Sequence, residues 1–168
     1  MSHQFSVRAV DCGYGHIKFA DGRDEAGAIR CDSFPSQSPT ARGGSLDGGV
    51  IQRRDTFLVE INGRRFEVGK GVALAGQTHR ETEVLDHDFS LSDAYTARLY
   101  GALSYMYPDL KSHTLDFLVL GLPLNTYPRH HAELSRRFVG EHKINAQGDA
   151  LTVRRCQRHA RRLTVGSN

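Results

Sequence analysis

Apolar and polar residues alternate with a period of two in the first third of the chain. Between Val7 and Ala20 the run VRAVDCGYGHIKFA predicts a strand, a tight glycine turn and a returning strand. Val7, Ala9 and Asp11 fall on one face of the first strand, and Arg8 and Val10 on the other. Asp21 to Asp24 marks a second turn, and Ala28 to Phe34 alternates as a third strand, so an antiparallel meander is expected. Pro35 and Pro39 end it, and residues 36–49, rich in Ser, Gly, Pro and Arg, read as a mobile loop. Asp55 to Ile61 and Arg64 to Gly69 flank Asn62-Gly63, the signature of a type I′ hairpin, with Phe57, Val59 and Ile61 facing Phe66 and Val68.

Further on the period changes. Gln77 to Phe89 is polar and poorly patterned. Ser92-Asp93 then offers a cap, and Tyr95, Leu99, Ala102/Leu103 and Met106 recur at helical spacing until Pro108. Leu115 to Leu122 is nearly continuous in apolar residues. It predicts a central strand, covered on both faces and parallel to the first. Asn125 or Thr126 can cap a second helix reaching Phe138, with Tyr127, Leu134 and Phe138 buried. A last hairpin is expected around Ala146 to Asp149, between Phe138–Asn145 and Ala150–Val153. The whole reads as an α/β domain with a mixed sheet.

The first hairpin carries the candidate chemistry. Its pattern is D-x-G-x-x-x-x-K, from Asp11 to Lys18. Glycine opens the backbone to unusual angles and to close approach by a ligand. Successive N–H groups of Gly13, Tyr14, Gly15 and His16 can form an anion-binding nest. Asp11 at the strand end can hold Mg²⁺ through water, and Lys18 can reach a phosphate. An ordinary Asp/Gly turn with a solvated lysine fits the same residues. Gly121 and Leu122 end the Leu115–Leu122 strand, where open α/β sheets place their ligands, so both are expected to face the same crevice; Gly121 and Pro123 also serve simply to end the strand.

Composition narrows the classes. A chain of 168 residues supports one domain with its own core. No apolar run is long enough to span a membrane, and the N-terminus lacks a signal-peptide core, so no membrane partner and a cytoplasmic location are expected. Cys12, Cys31 and Cys156 form no C-x-x-C pair, and the nine histidines, among them His79, His87, His130 and His131, have no metal-ligand spacing. The net charge of +3 is uneven: Arg154, Arg155, Arg158, Arg161 and Arg162 follow the last acid, Asp149, and setting them aside leaves 17 basic against 19 acidic residues. Residues 1–153 are therefore expected to be the domain. Residues 154–168 read as a basic, disordered tail, either out-of-frame sequence or an arginine arm for direct contact with DNA phosphates.

Three stretches together resemble the actin-like ATPases of the plasmid-segregation branch, the ParM/StbA-like proteins including the protein called D of the PRTRC system. They are AVDCGYGHIKFA, RCDSFPSQSP and DFLVLGLPLNTY, in an order and spacing that cover roughly residues 7 to 153. The resemblance implies a ribonuclease-H/actin-type N-terminal domain, with residues 36–90 as a small inserted hairpin region that makes filament contacts. It implies ATP or GTP with Mg²⁺, held through Asp11, Gly13, Tyr14, Gly15, His16, Lys18 and Gly121. It also implies self-association or assembly with a full-length homologue, and a DNA-bound adaptor. The family's second domain, with its own phosphate loop and base pocket, is not found in these residues. Half of such a clamp is expected to be a poor catalyst, because phosphoryl transfer depends on charges placed from several sides. Two other readings stay open: a non-catalytic protein that caps filaments or binds DNA through the arginines, and a fragment of a sugar-kinase or Hsp70-type relative, which shares the first hairpin.

Overall fold

β1 (Val7–Cys12) and β2 (His16–Arg23) form the hairpin, and β3 (Ile29–Pro35) continues the antiparallel meander. This computed structural model describes residues 5–41, 55–74, 88–107, 112–123 and 127–161. Residues 42–49 of the glycine-rich loop, residues 77–87 of the polar stretch, the stop at Pro108, the caps at Asn125 or Thr126, and Arg162 lie outside the described residues.

β4 (Phe57–Ile61) and β5 (Arg64–Val68) form the second hairpin, with Phe57 opposite Val68 and Val59 opposite Phe66. Asn62 (φ 52°) and Gly63 (φ 74°) are both left-handed, as a type I′ turn requires. The hairpin is tied to the exit of β3: Glu67 N–H donates to the Pro39 carbonyl at 3.0 Å, and Ala41 N–H to that of Arg65 at 2.8 Å. Val59, Phe66 and Val68 join the same buried cluster as the meander and the helices.

α1 (Asp93–Met106) starts where the cap predicts. Ser92 is the N-cap, and its hydroxyl accepts from Tyr95 N–H at 3.1 Å. The helix is buried almost all round, because the meander lies on one side and the β4–β5 hairpin on another. Gly101 permits that packing: a Cβ there would sit 2.6 Å from Val68 Cγ2.

The apolar run around Leu115 is two strands rather than one. β6 (Ser112–Leu115) and β7 (Phe117–Pro123) meet at Asp116, which is buried. After α2 (Tyr127–Arg137) and β8 (Gly140–Lys143), β9 (Ala150–Val153) and β10 (Cys156–Arg161) break at the same level. β6 runs parallel to β9 and β7 parallel to β10, so the two segments cross together from a three-stranded sheet (order β6-β9-β8) into a five-stranded one (order β10-β7-β1-β2-β3). The crossing is pinned by polar bonds. Asp116 takes Arg154 Nη1 at 2.8 Å and the Ser6 N–H and hydroxyl at 3.0 and 3.1 Å.

Two expectations are corrected here. Residues 156–161 are not a loose tail: they form an edge strand whose backbone continues the ladder of β7, and Arg158 lies inside it. Charge-based disorder yields to parallel pairing on an apolar neighbour, a tertiary effect that the local composition does not carry. β7 is not covered on both faces either. Leu118, Leu120 and Leu122 are fully buried beneath the helices, whereas Val119 and Gly121 look into an open hollow. β7 is parallel to β1, as predicted.

Candidate functional site

The five strands bring one row of residues across the open face of the sheet. Ser33 on β3 is in register with Lys18 on β2, Lys18 with Asp11 on β1, Asp11 with Gly121 on β7, and Gly121 with His159 on β10. The next row on that face is largely apolar: Cys31, Ala20, Ala9 and Val119. Together the two rows line an open hollow of about 590 Å³. A carboxylate and an ammonium thus sit side by side above an apolar floor, at the end of β1 where the chain turns.

Gly121 is required by this arrangement. A Cβ built there would lie 2.7 Å from Asp11 Oδ1 and 3.0 Å from its Cγ, so any side chain at 121 would displace the carboxylate. The predicted convergence of Gly121 with the hairpin is therefore direct contact across two paired strands.

The turn itself differs from expectation in two respects. Neither Gly13 nor Gly15 has a positive φ; those angles occur at Gly22, Gly27, Gly63, Gly69, Gly140 and Gly148. The Gly13 N–H is not presented outward. It donates to the carbonyls of Asp11 (3.0 Å) and His16 (3.1 Å), because closing so short a link between paired strands uses that donor. Tyr14, Gly15 and His16 are exposed, and a Cβ at Gly15 would meet nothing within 4 Å. Gly15 thus leaves open space beside the main chain without adopting an unusual backbone angle.

The residues present fit a magnesium-bound phosphate group by the chemistry of the donor set: one carboxylate for hydrated Mg²⁺, one lysine, and exposed turn backbone at Tyr14 and Gly15. Cys12 is buried, and burial pushes the Cys156 thiol up to about 11, so Cys156 stays protonated at neutral pH. Among the described residues no cluster of His, Cys, Asp and Glu could hold a metal directly, and no helix is long and apolar enough to cross a membrane.

Sequence reasoning missed Ser33 and His159 in the row. His159 was hidden by the reading of a disordered tail. It also passed over Arg98, whose place on the buried face of α1 was itself a signal.

A family model for the actin like proteins N terminal domain matches residues 9–159. The chain belongs to the actin-like proteins. The match extends through most of β10, in agreement with its place in the sheet. Solved structures agree at the level of fold. The apo ParM protein of pSK41 superposes with a TM-score of 0.67 at 16% identity, covering 94% of this chain and 50% of that one. The actin-like protein Alp7A gives 0.63 at 13%, covering 92% and 44%. The AlfA filament bound to AMPPNP gives 0.58 at 18%, covering 94% and 55%. The chain thus spans about half the length of these actin-like relatives. No curated protein matches the sequence.

Proposed function

We propose that this actin-like domain binds the phosphates of a nucleoside triphosphate with Mg²⁺ on the β1–β2 hairpin. Asp11 holds the hydrated ion, Lys18 pairs with phosphate oxygens, and Tyr14, Gly15 and His16 offer main-chain N–H groups. The observation that carries the reading is the Asp11–Lys18 pairing across β1 and β2, with Gly121 leaving the room that the carboxylate occupies. One similar structure, AlfA, is described as a filament bound to AMPPNP, which supports both nucleotide binding and self-assembly. The wider role proposed is plasmid segregation, in filaments of this chain or with a full-length homologue, coupled to DNA through an adaptor protein. Hydrolysis would need groups from a second domain, so little ATPase activity is expected from these residues by themselves.

Calorimetric titration of the purified chain with Mg-ATP and Mg-GTP tests this reading. Weak binding, with Kd of the order of 100 μM, is expected for one or both, the low affinity reflecting a ligand gripped from one side. It should fall at least about tenfold in Asp11→Ala, a loss of roughly 1.4 kcal/mol. No heat from a wild-type chain that is folded by circular dichroism would overturn it.

A further inference from the structure

Arg98 sits on the buried face of α1, one turn beyond Tyr95, and is only 2% exposed. A guanidinium keeps its charge, so burying it is costly unless its N–H groups find acceptors. Two serines at the exit of β3 are among those acceptors. Arg98 Nε donates to Ser38 Oγ at 3.0 Å and Nη1 donates to Ser36 Oγ at 3.2 Å, while the guanidinium lies 4.9 Å from the centre of the Phe89 ring. Ser36 passes the connection on. Its hydroxyl donates to the Gly13 carbonyl at 2.7 Å, and its N–H donates to the Gly15 carbonyl at 2.9 Å. One residue therefore grips both glycines that bracket Tyr14, and that residue is itself gripped from the helix.

We infer that Ser36 and Arg98 are positioning residues that preset the β1–β2 turn for phosphate. A hydroxyl that accepts from a cation is a stronger donor, so the short bond to Gly13 is reinforced by Arg98. The carbonyls of Gly13 and Gly15, which would repel a phosphate, are engaged on the β3 side. The turn is held before the ligand arrives, which lowers the ordering cost of binding. This inference rests on the phosphate reading of the hairpin and deepens it.

The test uses the full chain as Ser36→Ala, Ser36→Thr and Arg98→Lys, with amide hydrogen exchange measured without ligand and Mg-ATP affinity measured by calorimetry. Ser36→Ala should speed exchange of the Gly13 amide about fivefold, the scale of one lost hydrogen bond, and weaken Mg-ATP by a similar factor. The Leu120 amide should be unchanged. Ser36→Thr keeps the hydroxyl and should restore both values; a purely structural loss would not separate the turn from the core in this way. Arg98→Lys should move Gly13 in the same direction, and if it fails to fold the two Ser36 variants decide. Wild-type exchange and affinity in Ser36→Ala, or no rescue by threonine, would overturn the inference. A wild-type chain that binds no Mg-ATP would instead overturn the phosphate reading, and exchange at Gly13 would still show whether Ser36 holds the turn.

Discussion

Gly121 shows how one missing side chain makes room for another. It lies beside Asp11 in the parallel ladder, and the carboxylate fills the space where a Cβ would be. Gly121→Ala should therefore leave β7 in place but rotate Asp11 away from its position. The expected result is a loss of Mg-ATP affinity of about tenfold, roughly 1.4 kcal/mol, with a melting temperature near that of the wild type. Calorimetry and thermal melting on the same sample separate the two effects. The meeting of Asp11, Lys18 and Gly121 was legible, because strand ends and glycine turns mark where a sheet opens. Gly13 was legible as a turn residue but not as one whose donor is consumed, since that depends on closing the hairpin. Ser36 and Arg98 lie 62 positions apart in sequence, and nothing local connects them.

Among the elements, α1 is the hub on which hairpin, sheet and β8 converge. Tyr100 on α1 meets His142 on β8, its hydroxyl 2.9 Å from Nδ1, with Phe138 against both rings. Burial lowers the His142 pKa from its ordinary 6.5, and the nearby Arg137 charge acts in the same direction, while the hydrogen bond of the ring to the Phe138 backbone opposes it. The folded state then binds fewer protons than the unfolded one. This contribution to stability is fully present above about pH 6.5 and is lost progressively below it, as the unfolded chain protonates first. Melting temperatures at pH 7.5 and pH 5.0 should show a drop on acidification that is smaller by a few degrees in His142→Gln. An equal drop in both proteins would show that this contact does not carry the dependence. The cap at Ser92 and the type I′ turn at Asn62-Gly63 were readable because both are set by residues within one turn of each other. The near-complete burial of α1 was not, because it follows from what packs on its second side.

The architecture of the whole molecule depends on two segments that bend together at Asp116 and at Arg154-Arg155. A hydropathy pattern shows an apolar run but not a change of sheet within it, so Leu115 to Leu122 read as one strand. The arginines after Val153 read as a tail because their charge is visible locally and their pairing partner, β7, is far away in sequence. The structure gives the two descriptions different consequences. Removing residues 154–168 from a chain with a loose tail would leave its stability unchanged. Removing β10 opens the edge of β7 and takes away the Arg154 partner of buried Asp116. The melting temperature should fall by about 2 to 8 °C, the shift expected for one to two kcal/mol in a domain of this size. An unaltered melt would contradict the assignment of β10 to the sheet.

The proposed role of the β1–β2 hairpin, with Gly121 beside it, is to form one side of a nucleotide clamp. Its most direct test is a residue-resolved NMR titration of the full chain with Mg-ATP, set against MgCl₂ alone. Saturable shifts are expected at Asp11, Tyr14, Gly15, His16, Lys18 and Gly121, absent in Asp11→Ala, with the amides of β4 and β5 still. Shifts that are missing from these residues, or that cluster elsewhere on the chain, would contradict it.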